Sequence, residues 1–144
     1  MALVDSYGRI HDYLRISLTD KCNLRCSYCM PSETYRGLPN KHLMNTEEII
    51  SISQTFIDLG VKKIRLTGGE PLIRKDIGEI LVAIGKTGCQ LDITSNGILL
   101  HHHWDHLKAA GIRTLNLSID TLNNDRFIEI AKRDELDRVR TNIK

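Results

Sequence analysis

Nowhere in the 144 residues does an apolar run approach the roughly 20 that a membrane helix needs, so no membrane-spanning helix is expected. The first 30 residues lack a basic start followed by an apolar stretch, the pattern of a secretory leader. A cytoplasmic, reducing setting is the expectation. Charge of one sign is missing too: 20 Lys and Arg against 18 Asp and Glu give a net +2. That balance carries no polyelectrolyte signature, and neither nucleic acid nor a membrane surface is expected as a partner. Repeats, linkers and low-complexity tracts are absent, which favours one domain. A composition of 41% hydrophobic and 26% charged residues is that of an ordinary globular chain. Cysteine is scarce at four residues, yet three of the four fall within eight positions.

What is present alternates. The stretch LRISL sets Leu14, Ile16 and Leu18 against Arg15 and Ser17, a short strand with one apolar face. The cysteine segment and a polar loop with Pro31, Gly37 and Pro39 follow. Thr46 is the expected cap of a helix that carries Glu47 and Glu48 in its first turn and stops at Gly60. KKIRLT then reads as a strand, Asp76 to about Lys86 as a helix, and QLDITSNG as a strand and turn. A helix over Leu99–Ala110, a strand over IRTLNLSID, a helix over Asp125 to about Arg133 and an amphipathic stretch over Asp134–Lys144 complete the chain. Strict βα order predicts an α/β fold with parallel strands, as a barrel or a doubly wound sheet. Every unusual segment then falls at the C-terminal end of a strand, the edge where parallel folds build sites.

The segment TDKCNLRCSYCM places Cys22, Cys26 and Cys29 at the spacing C-x3-C-x2-C. A structural zinc site takes four ligands, usually as two separated pairs. Cys89 precedes the third strand at the end away from the rim, and His42 is the other candidate for a fourth ligand. Thiols clustered in a reducing compartment bind metal or do redox chemistry more often than they form disulfides. Thiolates are the usual ligands of a [4Fe–4S] cluster, and three of them leave one iron open to a small chelating molecule. Cys89 is expected as a buried structural thiol.

In LTGGEPLIR, Gly68 and Gly69 let backbone approach a ligand closely, and Glu70 can accept a hydrogen bond from an ammonium; a tight βα turn is the plainer reading. Arg15 and Arg65 occupy the polar faces of the first two strands and point inward if the sheet curls. An inward guanidinium needs an anion or an acid beside it. Both together suit a polyanionic substrate, the alternative being pairing with Asp92 or Glu70. His102 and His106 share a helix face at i and i+4, a spacing that can hold a metal. With no convergent carboxylate, the cluster from His101 to His103 with His106 reads as an exposed or partly packed helix face.

The cysteine spacing, with aromatic Tyr28 before the third cysteine and GGEP about 40 residues later after a strand, resembles the signature of the radical S-adenosylmethionine (radical SAM) superfamily. The resemblance implies a [4Fe–4S] cluster on Cys22, Cys26 and Cys29, with S-adenosyl-L-methionine against Tyr28, Gly68, Gly69, Glu70 and Ser118. It implies backbone contacts from Gly69 to the methionine amino group and from Tyr28 to the adenine side, and Ser118 at the nucleoside. The plainer readings are a Tyr28 packed under the loop, a buried Ser118 capping a turn and an Asp120 that merely turns the chain.

Four longer stretches, YLRISLTDKCNLRCSYCMP, KKIRLTGGEPLIRKDI, DITSNG and LNLSIDTL, resemble the GTP 3′,8-cyclase (MoaA) family of molybdenum-cofactor biosynthesis. That resemblance implies GTP as substrate, contacted by Arg15, Arg65 and Thr94, and abstraction of its ribose 3′ hydrogen before closure onto guanine C8. Thr94-Ser95 stands where the family usually has two threonines, which keeps a hydroxyl. It further implies that residues 1–144 are the N-terminal part of a core domain, about four parallel βα units of an incomplete TIM-like barrel, with the rest of the barrel and a second-cluster region lacking. GTP cyclisation by this stretch alone is not expected. A flavodoxin-like electron donor and a homodimer of the full-length form are the implied partners. The alternatives are a superfamily member acting on another substrate, as in peptide or sulfatase maturation, and a non-enzymatic zinc-binding module.

Overall fold

Alternation of apolar residues makes the strands and decides their faces. In the computed structural model, which describes residues 2–30, 32 and 34–144, four strands form one sheet. They are β1 (Tyr13–Ser17), β2 (Lys63–Thr67), β3 (Gln90–Ser95) and β4 (Leu115–Leu117), parallel and adjacent in chain order. Pro31 lies outside the described residues. The register sets Leu14 beside Ile64 and Ile64 beside Leu91, then Ile16 beside Leu66 and Leu66 beside Ile93. Successive strand side chains point to opposite faces, so these six share one. Ile64, Leu66 and Ile93 are fully buried there.

Three helices supply the other side of that core: α1 (Thr46–Asp58), α2 (Ile77–Gly85) and α3 (Trp104–Ala109). They contribute Ile49, Ile77, Ile80, Leu81, Ile84 and Leu107. A smaller cluster gathers Leu24 of the cysteine loop, Ile98 after β3, Phe127 and Ala131 of α4 (Asn124–Ala131), and Leu136 and Val139 of α5 (Leu136–Asn142). Among the described residues, no helix is long and apolar enough to cross a membrane.

Several local expectations change. Asn45, not Thr46, caps α1: its side chain accepts from Glu48 N at 2.8 Å while Glu48 accepts from Asn45 N at 2.8 Å. Such a reciprocal cap contributes about 1 kcal/mol. Thr46 is left free to donate its hydroxyl to Asp76 at 2.7 Å. The helix expected over Leu99–Ala110 breaks at His103, whose ring nitrogen is drawn 3.1 Å from the Leu72 carbonyl; a tight turn at Leu100–His102 precedes the shorter α3. The last strand narrows to three residues, Leu115–Leu117, at one edge of the sheet. Cys89 is half-buried rather than buried, since it sits where the chain enters β3 from solvent.

Arg74 knots the layers together. Its guanidinium donates to the Leu18 carbonyl (2.8 Å) and the Met44 carbonyl (3.0 Å), and grips both Asp76 oxygens at 2.9 and 2.6 Å. This bidentate partner, with the Thr46 hydroxyl, holds the Asp76 carboxyl down at about 2 against an ordinary 3.8. A depressed carboxyl stabilises the fold above its unfolded pKa and loses that contribution as pH falls through the folded one. Asp76 is a third exposed, so about 1–2 kcal/mol should disappear between about pH 5 and pH 2. Urea unfolding of Asp76→Asn beside the parent checks it: the gap between the two should close over that interval, and a gap of constant size refutes the linkage.

Candidate functional site at the C-terminal rim

Beyond β1, the chain cannot continue straight, because the turn after β2 is stitched to it. Gly69 N donates to the Thr19 carbonyl at 2.6 Å, and Glu70 N to the Lys21 carbonyl at 2.8 Å. A β-carbon on Gly68 would stand 2.5 Å from the Thr19 oxygen, and one on Gly69 would stand 2.7 Å from the Lys21 carbonyl carbon. Only glycine permits two backbones so close. The paired glycines of LTGGEPLIR therefore clamp the base of the cysteine loop.

The loop itself is held from three sides. Arg25, between the first two cysteines, donates to the carbonyls of Cys22 (2.5 Å), Leu24 (2.8 Å) and Tyr35 (3.3 Å). Backbone N–H groups of Arg25 and Ser27 reach the carbonyls of Ala131 and Ile130, both at 2.9 Å, using acceptors that the end of α4 leaves unpaired. The Tyr28 hydroxyl donates to the Asp120 carboxylate at 2.9 Å, fastening the loop to the segment after β4. Partial shielding of its hydroxyl from water and that carboxylate push the Tyr28 phenol up to about 12. Asp120 thus does more than turn the chain, and the Tyr28 ring is exposed rather than packed under the loop.

Cys22 and Cys26 are half-buried and Cys29 is exposed. Burial pushes the thiols of Cys22 and Cys26 up, and Cys29 adds to both effects, as Cys22 does to Cys26. Cys29 thus lies near enough to Cys22 and Cys26 to add to both shifts. Among the described residues, no three metal-ligand side chains converge as a single ion demands. A cluster is bulkier than one ion, and three thiolates on one loop are a donor set that could hold a [4Fe–4S] cluster at three of its irons.

Glu70 is 1% exposed. Its carboxylate accepts from the Ser95 hydroxyl (2.9 Å), Asn96 N (2.7 Å) and Leu72 N (3.1 Å). Burial pushes this carboxyl up while the three donors pull it down. Ser118 is exposed, not buried, with its N–H on the Ser95 carbonyl at 2.9 Å.

The opposite sheet face is polar, and it rises to this rim. Arg15 lies beside Arg65, and Arg65 beside Asp92, in one row; Thr94 lies beside Asn116 one step nearer the rim. Arg15 is exposed and Thr94 half-buried. Arg65 pairs with Asp92 at 3.0 Å, and Lys63 reaches the same oxygen at 2.7 Å. Burial pushes Asp92 up, but Lys63, Arg65 and Thr114 outweigh it and hold it near 2. The Arg65 Nε is buried without a hydrogen-bond partner among the described residues. One carboxylate thus faces two cations, with Arg15 next in the row. A cavity of about 480 Å³ lies elsewhere, between the Lys21 and Asn40 loops and the Arg74 turn.

Sequence reasoning missed Arg25 and Asn96 and read Asp120 as a turn residue, although TSNG and SID held two of them; their partners lie far off in sequence. His102 and His106 are both exposed, as expected of a solvent-facing surface.

The radical SAM superfamily matches residues 16–144 of the chain. Molybdenum cofactor biosynthesis protein 1 of Dictyostelium discoideum is 50% identical over 139 residues, covering 95% of this chain and 22% of that protein. The GTP 3′,8-cyclase of Campylobacter fetus is 45% identical over 139 residues, covering 95% of this chain and 43% of that one. The chain therefore spans less than half the length of these curated relatives. Among solved structures, Streptococcus suis SuiB bound to precursor peptide SuiA superposes with a TM-score of 0.74 at 25% identity, over 88% of this chain and 28% of that one.

Proposed function

The chain belongs to the radical SAM superfamily, and from that premise we propose that it forms the cofactor-binding part of a GTP 3′,8-cyclase of molybdenum-cofactor biosynthesis. Cys22, Cys26 and Cys29 hold a [4Fe–4S] cluster. When bound, the cluster would supply the one electron for reductive cleavage of S-adenosyl-L-methionine, the chemistry proposed to act at the ribose 3′ position of GTP.

The chain's own residues do the rest. Gly68 and Gly69 bring backbone against the methionine end of the cofactor. Glu70 braces that edge from beneath by fixing Ser95 and Asn96, while Tyr28 and Ser118 border the nucleoside end. Arg15, Arg65 and Thr94 face the substrate from the polar side of the sheet, where guanidinium groups match phosphate oxygens two at a time. A flavodoxin-like protein is the proposed electron donor, the cytoplasm the proposed setting, and a homodimer the proposed full-length state.

The observation that carries this reading is the row Arg15–Arg65 on the polar sheet face that ends at the three-cysteine rim. One cation of that row is held by Asp92, and the other is exposed. The superfamily match and the GTP 3′,8-cyclase relatives support it further. The measurement is GTP affinity of the anaerobically reconstituted chain, with and without Arg15→Ala and Arg65→Ala. Each variant should weaken binding about tenfold, near 1.4 kcal/mol. GTP affinity indifferent to both arginines would remove the substrate assignment while leaving the cluster untouched.

A further inference from the structure

Asn96 is the first residue beyond β3, only 7% exposed, and its carboxamide is clamped at both ends. Its Oδ1 accepts from Ile98 N at 3.1 Å, which fixes the orientation of the amide. The opposite Nδ2 carries two hydrogens. One goes to Asn23 Oδ1 at 2.7 Å; the other faces the sulfur of Cys22 at 3.8 Å. The backbone of Asn96 is fixed as well, since its N–H meets the buried Glu70 carboxylate at 2.7 Å. Cys22 Sγ also accepts from Leu24 N at 3.4 Å. Among the described residues, neither Cys26 nor Cys29 has a comparable side-chain donor aimed at its sulfur.

We propose that Asn96 is a positioning residue for the cluster: its side-chain amide donates to the Cys22 thiolate and thereby raises the reduction potential of the group those cysteines hold. The inference rests on the cluster reading above. An N–H donor at a ligand sulfur stabilises the added negative charge of the reduced state, and hydrogen bonds to the sulfurs are among the levers that set cluster potentials. Glu70 enters the same device. Buried between the glycine turn and Asn96, it couples the edge proposed for S-adenosylmethionine to the donor on Cys22.

The test uses the reconstituted chain as parent, Asn96→Ser and Asn23→Ala. Iron and sulfide are assayed first, and each protein is then titrated with dithionite while the reduced cluster is followed by EPR. Asn96→Ser, which loses the amide without adding charge, should become about tenfold harder to reduce, a shift of about 59 mV to more negative potential for one electron. Asn23→Ala removes an anchor but keeps the donor, and should shift less. An Asn96→Ser protein that titrates with the parent at equal cluster content overturns the inference, as does an Asn23→Ala shift of the same size. Should Asn96→Ser fail to load, the parent labelled with asparagine bearing a side-chain nitrogen-15 decides: coupling of that nitrogen to the reduced cluster supports the contact, and its absence refutes it. A parent that takes up neither iron nor sulfide defeats the cluster reading and this inference together, whereas a loaded parent with an unmoved potential defeats this inference alone.

Discussion

Serine at Cys22, Cys26 or Cys29, one at a time, should strip most of the iron and sulfide from the reconstituted chain, whereas Cys89→Ser should keep the parent's content. The parent is expected to bind about four irons with matching sulfide, and to lose its brown colour on reduction. The contrast follows from position. Cys22, Cys26 and Cys29 sit on one loop pinned by Arg25, by the end of α4 and by Asp120. Cys89 packs, half-buried, against the helical core where β3 begins. Serine keeps the size of the side chain but offers a poor ligand to iron, so loss of metal with retained folding is the expected signature. Full iron in a serine variant would remove that cysteine from the ligand set, and one zinc with no sulfide in the parent would favour the zinc-module reading instead.

Gly69→Ala should be among the most damaging single changes outside the cysteines. The added methyl would meet the Lys21 carbonyl and come within 2.9 Å of the Asp20 carbonyl oxygen, and these are backbone atoms that cannot rotate away. Gly69 N and Glu70 N are already fixed on the Thr19 and Lys21 carbonyls, so the cysteine loop must shift as one piece. A stability loss of about 3 kcal/mol in urea unfolding is expected, at the upper end of what overpacking costs. Any response of the reduced cluster's EPR signal to S-adenosylmethionine should vanish with it. Gly88→Ala serves as the comparison, since a β-carbon there meets nothing within 4 Å and only its backbone angle of +78° is strained. That change should cost about 1 kcal/mol and leave the EPR response intact. Equal stability losses at the two positions would contradict the clamp.

Much of the site was legible in the residues because it rests on local rules. Period-two alternation identified the strands of the sheet, and βα order implied parallel pairing. Parallel pairing sent the cysteines, TGGEP, TSNG and SID to one edge. Alternation alone also put Arg15 and Arg65 on the polar faces of their strands. Caps and ends were less legible. Asn45 and Thr46 are both good caps; Asn45 takes the role, and the Thr46 hydroxyl goes to Asp76, 30 residues away.

Composition, spacing and period by themselves determined that this is a parallel α/β chain with three thiols at its working edge. Which polar groups face which was decided by tertiary structure. Strand register set Arg65 against Asp92, 27 positions apart. The crossing of the turns after β1, β2 and β3 turned Glu70 inward onto Ser95 and Asn96 and brought the Asn96 amide to Cys22. The division has one physical cause. Period and spacing act between neighbours in the chain, whereas a buried hydrogen bond depends on where distant segments come to rest once the apolar face of the sheet has been covered.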